Sequence, residues 1–157
     1  ELIDPLRERY DPKAQAICPT HISLSEPLTK EFTPALEDEL LSILAQVAPF
    51  EMRFTALYAS RQFPGVAYRI EPEDKFYELR QAVHSNIAFE GSEFRRKHIP
   101  PHMTIAEFIS IEDSLLLRDQ LAESAPVGSF TCDQLELIVP DDSFRFRRIK
   151  QFPLGKR

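Results

Sequence analysis

The apolar positions along the chain predict short helices and strands in alternation. Asp4-Pro5 has the form of a helix start, and this helix is expected to reach Tyr10, where Asp11-Pro12 stops it. Residues 16–24 are rich in β-branched and apolar side chains and predict a strand. A helix capped by Thr33-Pro34 is expected next, because one apolar face repeats at helical spacing, formed by Leu36, Leu40, Leu44 and Val47.

The middle of the chain predicts two strands, a helix and a polar loop, over residues 50–60, 66–70, 73–88 and 91–97. Phe63-Pro64-Gly65 indicates a loop between the two strands, and Glu71-Pro72 ends the second one. The helix is expected from the spacing of Phe76, Leu79 and Val83.

The second half of the chain repeats the order strand, helix, strand, strand. It predicts strands over 102–108, 129–139 and 144–152, and a helix that Ser110 caps and that runs to about Glu123. The spacing also matches, since His21 precedes Phe50 by 29 positions and His102 precedes Phe130 by 28. We therefore predict a diverged internal duplication, in which residues 50–52 correspond to residues 130–132.

Composition fits one domain over residues 1–157. The chain is 43% apolar and 28% charged, close to the globular average, and its apolar stretches are too short to span a bilayer. The N-terminal residues lack the pattern of a secretory signal, so a cytoplasmic location is expected. Cys18 and Cys132 are expected to be free thiols, and we expect a monomer.

The charge distribution favours the second half as the place for an anion. The net charge of -6 argues against a non-specific nucleic-acid coat, but the balance is -7 over residues 1–94 and +1 over residues 95–157. Basic side chains there are concentrated in residues 95–98 and 145–150, which can also be solvated surface charge.

Candidate chemistry comes from a tetrapeptide that occurs twice, His21-Ile22-Ser23-Leu24 and His102-Met103-Thr104-Ile105. On a strand, alternate residues share a face about 6.6 Å apart, so each histidine would point the same way as its hydroxyl residue. Two lobes related by an approximate two-fold would place the histidines across a cleft. One imidazole could then accept a proton and the other donate one, while Ser23 and Thr104 bind a phosphate without a metal.

These paired motifs resemble those of the two-histidine phosphoesterase superfamily, which includes the 2′-5′ RNA ligases and cyclic phosphodiesterases. Four further segments resemble its bacterial 2′-5′ RNA ligase-like branch: residues 6–12, Ile17-x-Pro19-x-His21, residues 63–66 and residues 101–105. The resemblance implies an α+β fold with two pseudo-symmetric lobes, each with antiparallel strands and flanking helices, around a central cleft. It also implies His21 and His102 as the catalytic pair, with Ser23 and Thr104 as phosphate binders.

The chain departs from the family pattern at two places. Members usually begin with a strand before the first helix, so we expect that strand to be missing here. Thr20 stands before His21, where proline is common in the family. The resemblance implies phosphodiester hydrolysis or ligation on 2′,3′-cyclic phosphate or 2′-5′-linked RNA or nucleotides, with no cofactor.

Other polar residues leave alternatives open. Tyr58, His98, Arg145 and Arg147 are candidate substrate contacts, although strand alternation lets only one face of residues 144–147 meet the cleft. A His98–His102 metal pair is disfavoured, because Pro100-Pro101 prevents a helix and four extended residues cover about 12 Å. His84 is interpreted as structural. A module that binds nucleotides or RNA ends without turnover remains the alternative to an enzyme.

Overall fold

A computed structural model describes residues 2–28 and 30–155, which form an α+β fold of helices and antiparallel strands. The helices are α1 (Asp4–Tyr10), α2 (Pro12–Ile17), α3 (Pro34–Leu44), α4 (Glu73–His84) and α5 (Ile111–Leu121). The strands are β1 (Phe50–Ala59), β2 (Val66–Glu71), β3 (His102–Ala106), β4 (Gly128–Cys132), β5 (Gln134–Pro140) and β6 (Phe146–Pro153). Over the described ranges, no helix is long and apolar enough to cross a membrane.

Four strands form the larger sheet in the order β3-β2-β1-β4, and β5 pairs with β6 in a second sheet. Every strand pair is antiparallel. The long strand β1 connects the two halves of the chain, because its first residues pair with β4 and its last residues pair with β2. The predicted α+β class is confirmed.

The register between β1 and β4 is symmetric about one residue pair. Phe50 lies opposite Cys132, Glu51 opposite Thr131 and Met52 opposite Phe130. If residues 50–52 are exchanged with residues 130–132, the same three pairs result. An approximate two-fold relation between two repeated halves would give this register, and the duplication itself stays a prediction.

Two apolar clusters support the two sheets. The first packs β1, β2 and β3 against α5 and contains Met52, Tyr68, Ile70, Met103, Ile105 and Leu117. The second packs α3 and α4 against the β5–β6 sheet and contains Leu40, Leu44, Leu79, Val83 and Phe152. The face of each sheet that turns away from its cluster is therefore the face left for polar chemistry.

The predicted strand over residues 16–24 is wrong. Asp11-Pro12 ends α1 but also starts α2, because the Asp11 carboxylate accepts the Ala14 N–H at 3.0 Å and proline is favoured in a first helical turn. α2 extends to Ile17, and residues 19–24 are not part of a strand. His21 therefore lies in an irregular segment between α2 and α3.

Other predicted elements shift at their ends or divide. The strand expected over residues 129–139 is two strands, β4 and β5, which separate at Asp133 and enter different sheets. The helix expected to 88 ends at His84, and short 3₁₀ turns form at Ile87–Phe89 and Arg95–His98. Alternating apolar residues predict strand content, but they do not reveal where one strand changes its partner.

His84 connects α4 to two loops. Its Nδ1 lies 2.8 Å from the Arg80 carbonyl and its Nε2 accepts the Glu26 N–H at 3.2 Å, so the ring is held as the neutral form. The ring also stacks on Phe94 at 3.7 Å between centroids. The interpretation of His84 as structural agrees with these contacts.

We expect His84 to make folding stability depend on pH. Burial lowers the pKa of His84 below its ordinary value of 6.5, so the unfolded chain takes up this proton at higher pH than the folded protein. The stabilisation is therefore complete above about pH 6.5 and is lost as pH falls toward the folded-state pKa. Urea unfolding between pH 7.5 and 5 should show a steeper loss in the wild type than in His84→Gln. The control His98→Gln removes an exposed histidine, and a wild-type slope in His84→Gln would contradict the expectation.

Candidate active site

The second tetrapeptide opens β3 with the predicted alternation. Met103 and Ile105 are buried in the first apolar cluster, whereas His102 and Thr104 are half-buried and project to the other face. His102 and Thr104 thus lie on the same face of the sheet, because alternate residues of a strand share a face.

The first tetrapeptide lies in the segment after α2. Ile22 and Leu24 pack against the same apolar cluster that contains Met103 and Ile105. His21 is exposed and Ser23 is half-buried. Both tetrapeptides therefore direct their apolar residues toward the same core, although 81 positions separate the histidines.

Each histidine makes the same contact with a proline two positions earlier. Nδ1 of His21 lies 2.8 Å from the Pro19 carbonyl oxygen, and Nδ1 of His102 lies 2.8 Å from the Pro100 carbonyl oxygen. A carbonyl oxygen can only accept, so both Nδ1 atoms carry a proton and donate it. In each neutral ring Nε2 is then the nitrogen left to exchange a proton with a ligand.

Cys18 is a second neighbour of His21. Its Sγ lies 3.3 Å from Nδ1 of His21, and burial raises the pKa of the thiol. The sulfur therefore stays a neutral thiol beside the ring. Cys18 and Cys132 are both free cysteines, as the sequence predicts.

Strand pairing places two more polar residues on the face of His102. Arg69 in β2 lies opposite His102, and Ala67 lies opposite both Thr104 and Tyr58. Directly paired residues share a face with Cβ atoms about 5 Å apart. The guanidinium carbon of Arg69 is 5.8 Å from the centre of the Tyr58 ring. Tyr58 was among the predicted contacts, and Arg69 was not, because the sequence alone does not show which strand lies beside β3.

Arg7 in α1 connects the N-terminal helix to the second tetrapeptide. It is only 2% exposed, and it donates to the Thr104 carbonyl at 2.7 Å and to the Glu107 carboxylate at 2.8 Å. Asp11 accepts the N–H groups of Glu107 and Phe108 at 2.7 and 2.9 Å. Burial raises the pKa of Asp11, but these backbone donors and that of Ala14 outweigh it and leave the pKa lowered. The Arg7 guanidinium and the ionised Asp11 carboxylate thus fix the end of β3.

Arg80 in α4 connects the first tetrapeptide to the segment that leads into the second. Its side chain is 1% exposed and donates to the carbonyls of Leu24 at 2.9 Å and Ser23 at 3.3 Å. The same guanidinium donates to the carbonyls of Arg96 and Ile99 at 2.5 and 2.6 Å. Nothing in the local sequence distinguishes Arg80 from a surface arginine of an amphipathic helix.

The remaining predicted contacts lie elsewhere. Arg145 is exposed in the turn before β6, and Arg147 in β6 pairs with the Asp141 carboxylate at 2.8 Å. Arg148, next in the strand, pairs with Glu136 at 2.9 Å. His98 lines a shallow pocket with Tyr77, Gln81 and Lys97, and neither catalytic candidate lines that pocket. None of the contacts described above joins these residues to His21 or His102.

Three or more metal-binding side chains do not converge anywhere in residues 2–28 and 30–155. The prediction of metal-independent chemistry is left to experiment.

Comparison with known protein families shows which superfamily the chain resembles. A family model described as the 2′-5′ RNA ligase superfamily matches residues 1–143. The chain belongs to the 2′-5′ RNA ligase superfamily. The resemblance to two-histidine phosphoesterases is thereby confirmed. Membership implies phosphoesterase or ligase chemistry on RNA or nucleotide substrates.

A solved structure supports the fold. The crystal structure of TT0787 from Thermus thermophilus is similar with a TM-score of 0.57 and 14% sequence identity, over 98% of this chain and 90% of that one. A search of curated proteins found no match. At this identity the likeness concerns the fold alone.

Removing the Arg80 guanidinium should destabilise the superfamily fold strongly. Arg80→Met removes the guanidinium hydrogen bonds to four carbonyls, and we expect the free energy of unfolding to fall by about 3 kcal/mol or more. Urea denaturation measures the loss. Arg95→Met is the matched control, because Arg95 is 75% exposed and its removal should cost about 0.5 kcal/mol or less. Equal losses in the two variants would contradict the role of Arg80, and Arg80→Lys would provide a readout if the methionine variant does not fold.

Proposed function

We propose that the protein is a metal-independent phosphoesterase that acts on 2′,3′-cyclic phosphate or 2′-5′-linked RNA and nucleotides. The observation that carries the proposal is the matching contact of both histidines. Each Nδ1 donates to a proline carbonyl at 2.8 Å, which leaves the two Nε2 atoms as a pair of groups for proton transfer. A module that only binds a phosphate does not need two imidazoles prepared in this way.

Hydrolysis of a 2′,3′-cyclic phosphate needs one proton removed and one supplied. In the proposed reaction His102 accepts a proton from water, whose oxygen forms a new bond to phosphorus. The bond between phosphorus and the 3′ oxygen breaks, and His21 donates a proton to that oxygen. The product carries a 2′-phosphate. The assignment of base and acid follows the family resemblance.

Charge that develops on the phosphate needs hydrogen-bond donors and cations. Ser23 and Thr104 supply hydroxyl groups beside their histidines, and Arg69 supplies a cation on the same sheet face as His102. The Tyr58 ring beside Arg69 offers an apolar surface for the ribose or base. A cyclic diester carries one negative charge, which this set can balance more readily than the two charges of a monoester.

Replacing either histidine should abolish most of the turnover without unfolding the protein. His21→Ala and His102→Ala should each lower kcat by about 10²- to 10⁴-fold, and the double variant should lose little more, because both groups serve one proton-transfer cycle. Hydrolysis of a 2′,3′-cyclic mononucleotide followed by chromatography gives the rates. Gln46→Ala, at an exposed position after α3, controls for preparation. A single variant with wild-type turnover would remove the proposed mechanism.

Substrate preference should follow the vicinal ribose oxygen and should not need a metal. In EDTA, a 2′,3′-cyclic phosphate should react faster than a simple monoester, because the cyclic diester carries a single negative charge and needs no bound ion, whereas the monoester is a dianion. Phosphorus NMR locates the product phosphate, and a 3′-phosphate would overturn only the roles given to His21 and His102. Faster monoester cleavage, or loss of activity in EDTA that Zn²⁺ or Mn²⁺ restores, would overturn the proposal.

A further inference from the structure

The pocket that His98 lines lies between α4 and the 3₁₀ turn Arg95–His98. It is lined by Tyr77, Gln81, Lys97 and His98. Tyr77 and Gln81 are one helical turn apart on α4 and therefore point to the same side. Burial and the nearby Glu73 carboxylate raise the pKa of Tyr77, so the phenol stays neutral. An aromatic ring, an amide and two basic groups thus converge at one place on the surface.

The basic run of the 3₁₀ turn divides into paired and unpaired side chains. Arg95 pairs with Glu93 at 2.8 Å, and Arg96 pairs with Glu26 at 3.9 Å. Within residues 2–28 and 30–155, Lys97 and His98 have no carboxylate within ion-pair distance. The two basic residues that line the pocket are therefore those whose charge or hydrogen-bonding capacity is available to an anion.

The pocket is fixed relative to the catalytic candidates. Arg80 holds the carbonyls of Arg96 and Ile99, on both sides of Lys97 and His98. The chain then continues through Pro100, whose carbonyl accepts from His102. The four positions from His98 to His102 cover at most about 12 Å when extended. A nucleic-acid strand a few nucleotides long spans that distance.

We propose that this pocket is a subsite for single-stranded RNA, and the inference rests on the proposed function. A nucleotide a few positions from the reacting phosphate stacks its base on Tyr77 and offers its base edge to the Gln81 amide. Its phosphate contacts Lys97 and His98. The preferred substrate is accordingly an oligonucleotide end rather than a free cyclic nucleotide.

Two measurements test the subsite. The first compares KM for a 2′,3′-cyclic mononucleotide with KM for an octanucleotide carrying the same end. Lys97→Ala/His98→Ala should raise KM for the octanucleotide about tenfold and leave the mononucleotide unchanged, since only the longer strand reaches the pocket. Tyr77→Leu should have a similar, base-independent effect. Arg95→Ala is the control, because it removes a cation from the same turn outside the pocket.

The second measurement is independent of turnover. Fluorescence anisotropy follows binding of a labelled single-stranded octanucleotide with a 3′-hydroxyl end to the wild type and the same variants. Weaker binding in Lys97→Ala/His98→Ala, with Arg95→Ala like the wild type, supports the subsite even if cyclic phosphates are not hydrolysed. Such a result would separate failure of the proposed function from failure of the subsite. Equal binding by all variants, or equal KM changes for both substrate lengths, would overturn the inference.

Discussion

Two buried guanidinium groups hold the candidate site together. A charge removed from water is costly unless hydrogen bonds replace its hydration. Arg80 donates to four backbone carbonyls, and Arg7 donates to the Thr104 carbonyl and the Glu107 carboxylate. Arg7 holds the second tetrapeptide, and Arg80 joins the end of the first to the segment before the second. Because a guanidinium donates in fixed directions, each arginine sets the relative position of segments that are far apart in sequence.

This constraint explains why the first tetrapeptide does not need a regular strand. Residues 19–24 are outside the strands, yet the Thr20 N–H donates to the Asp4 carboxylate at 3.0 Å, and Arg80 binds the carbonyls of Ser23 and Leu24. These three backbone polar groups are thus satisfied by side chains in place of a neighbouring strand. β3, in contrast, takes its position from pairing with β2.

Local patterns predicted local structure, and they could not predict long-range partners. The apolar face of α3, the Ser110 cap of α5 and the alternation in β3 follow from neighbouring residues, and the structure contains all three. The break at Asp133 and the position of Arg69 beside His102 depend on which strands meet, which one sequence does not encode in a visible pattern. The Asp11-Pro12 pair was ambiguous, because it both ends α1 and starts α2.

Both histidines donate Nδ1–H to a proline carbonyl, but their other neighbours differ. His102 stands in a sheet beside Arg69 and near Tyr58, whereas His21 stands in an irregular segment beside the neutral Cys18 thiol. General acid and general base must differ in protonation when the reaction begins, and two residues of one type can differ only through their environment. A duplicated motif with identical surroundings would provide two equivalent imidazoles. The unequal neighbours of His21 and His102 provide the physical basis for dividing the two proton transfers between them.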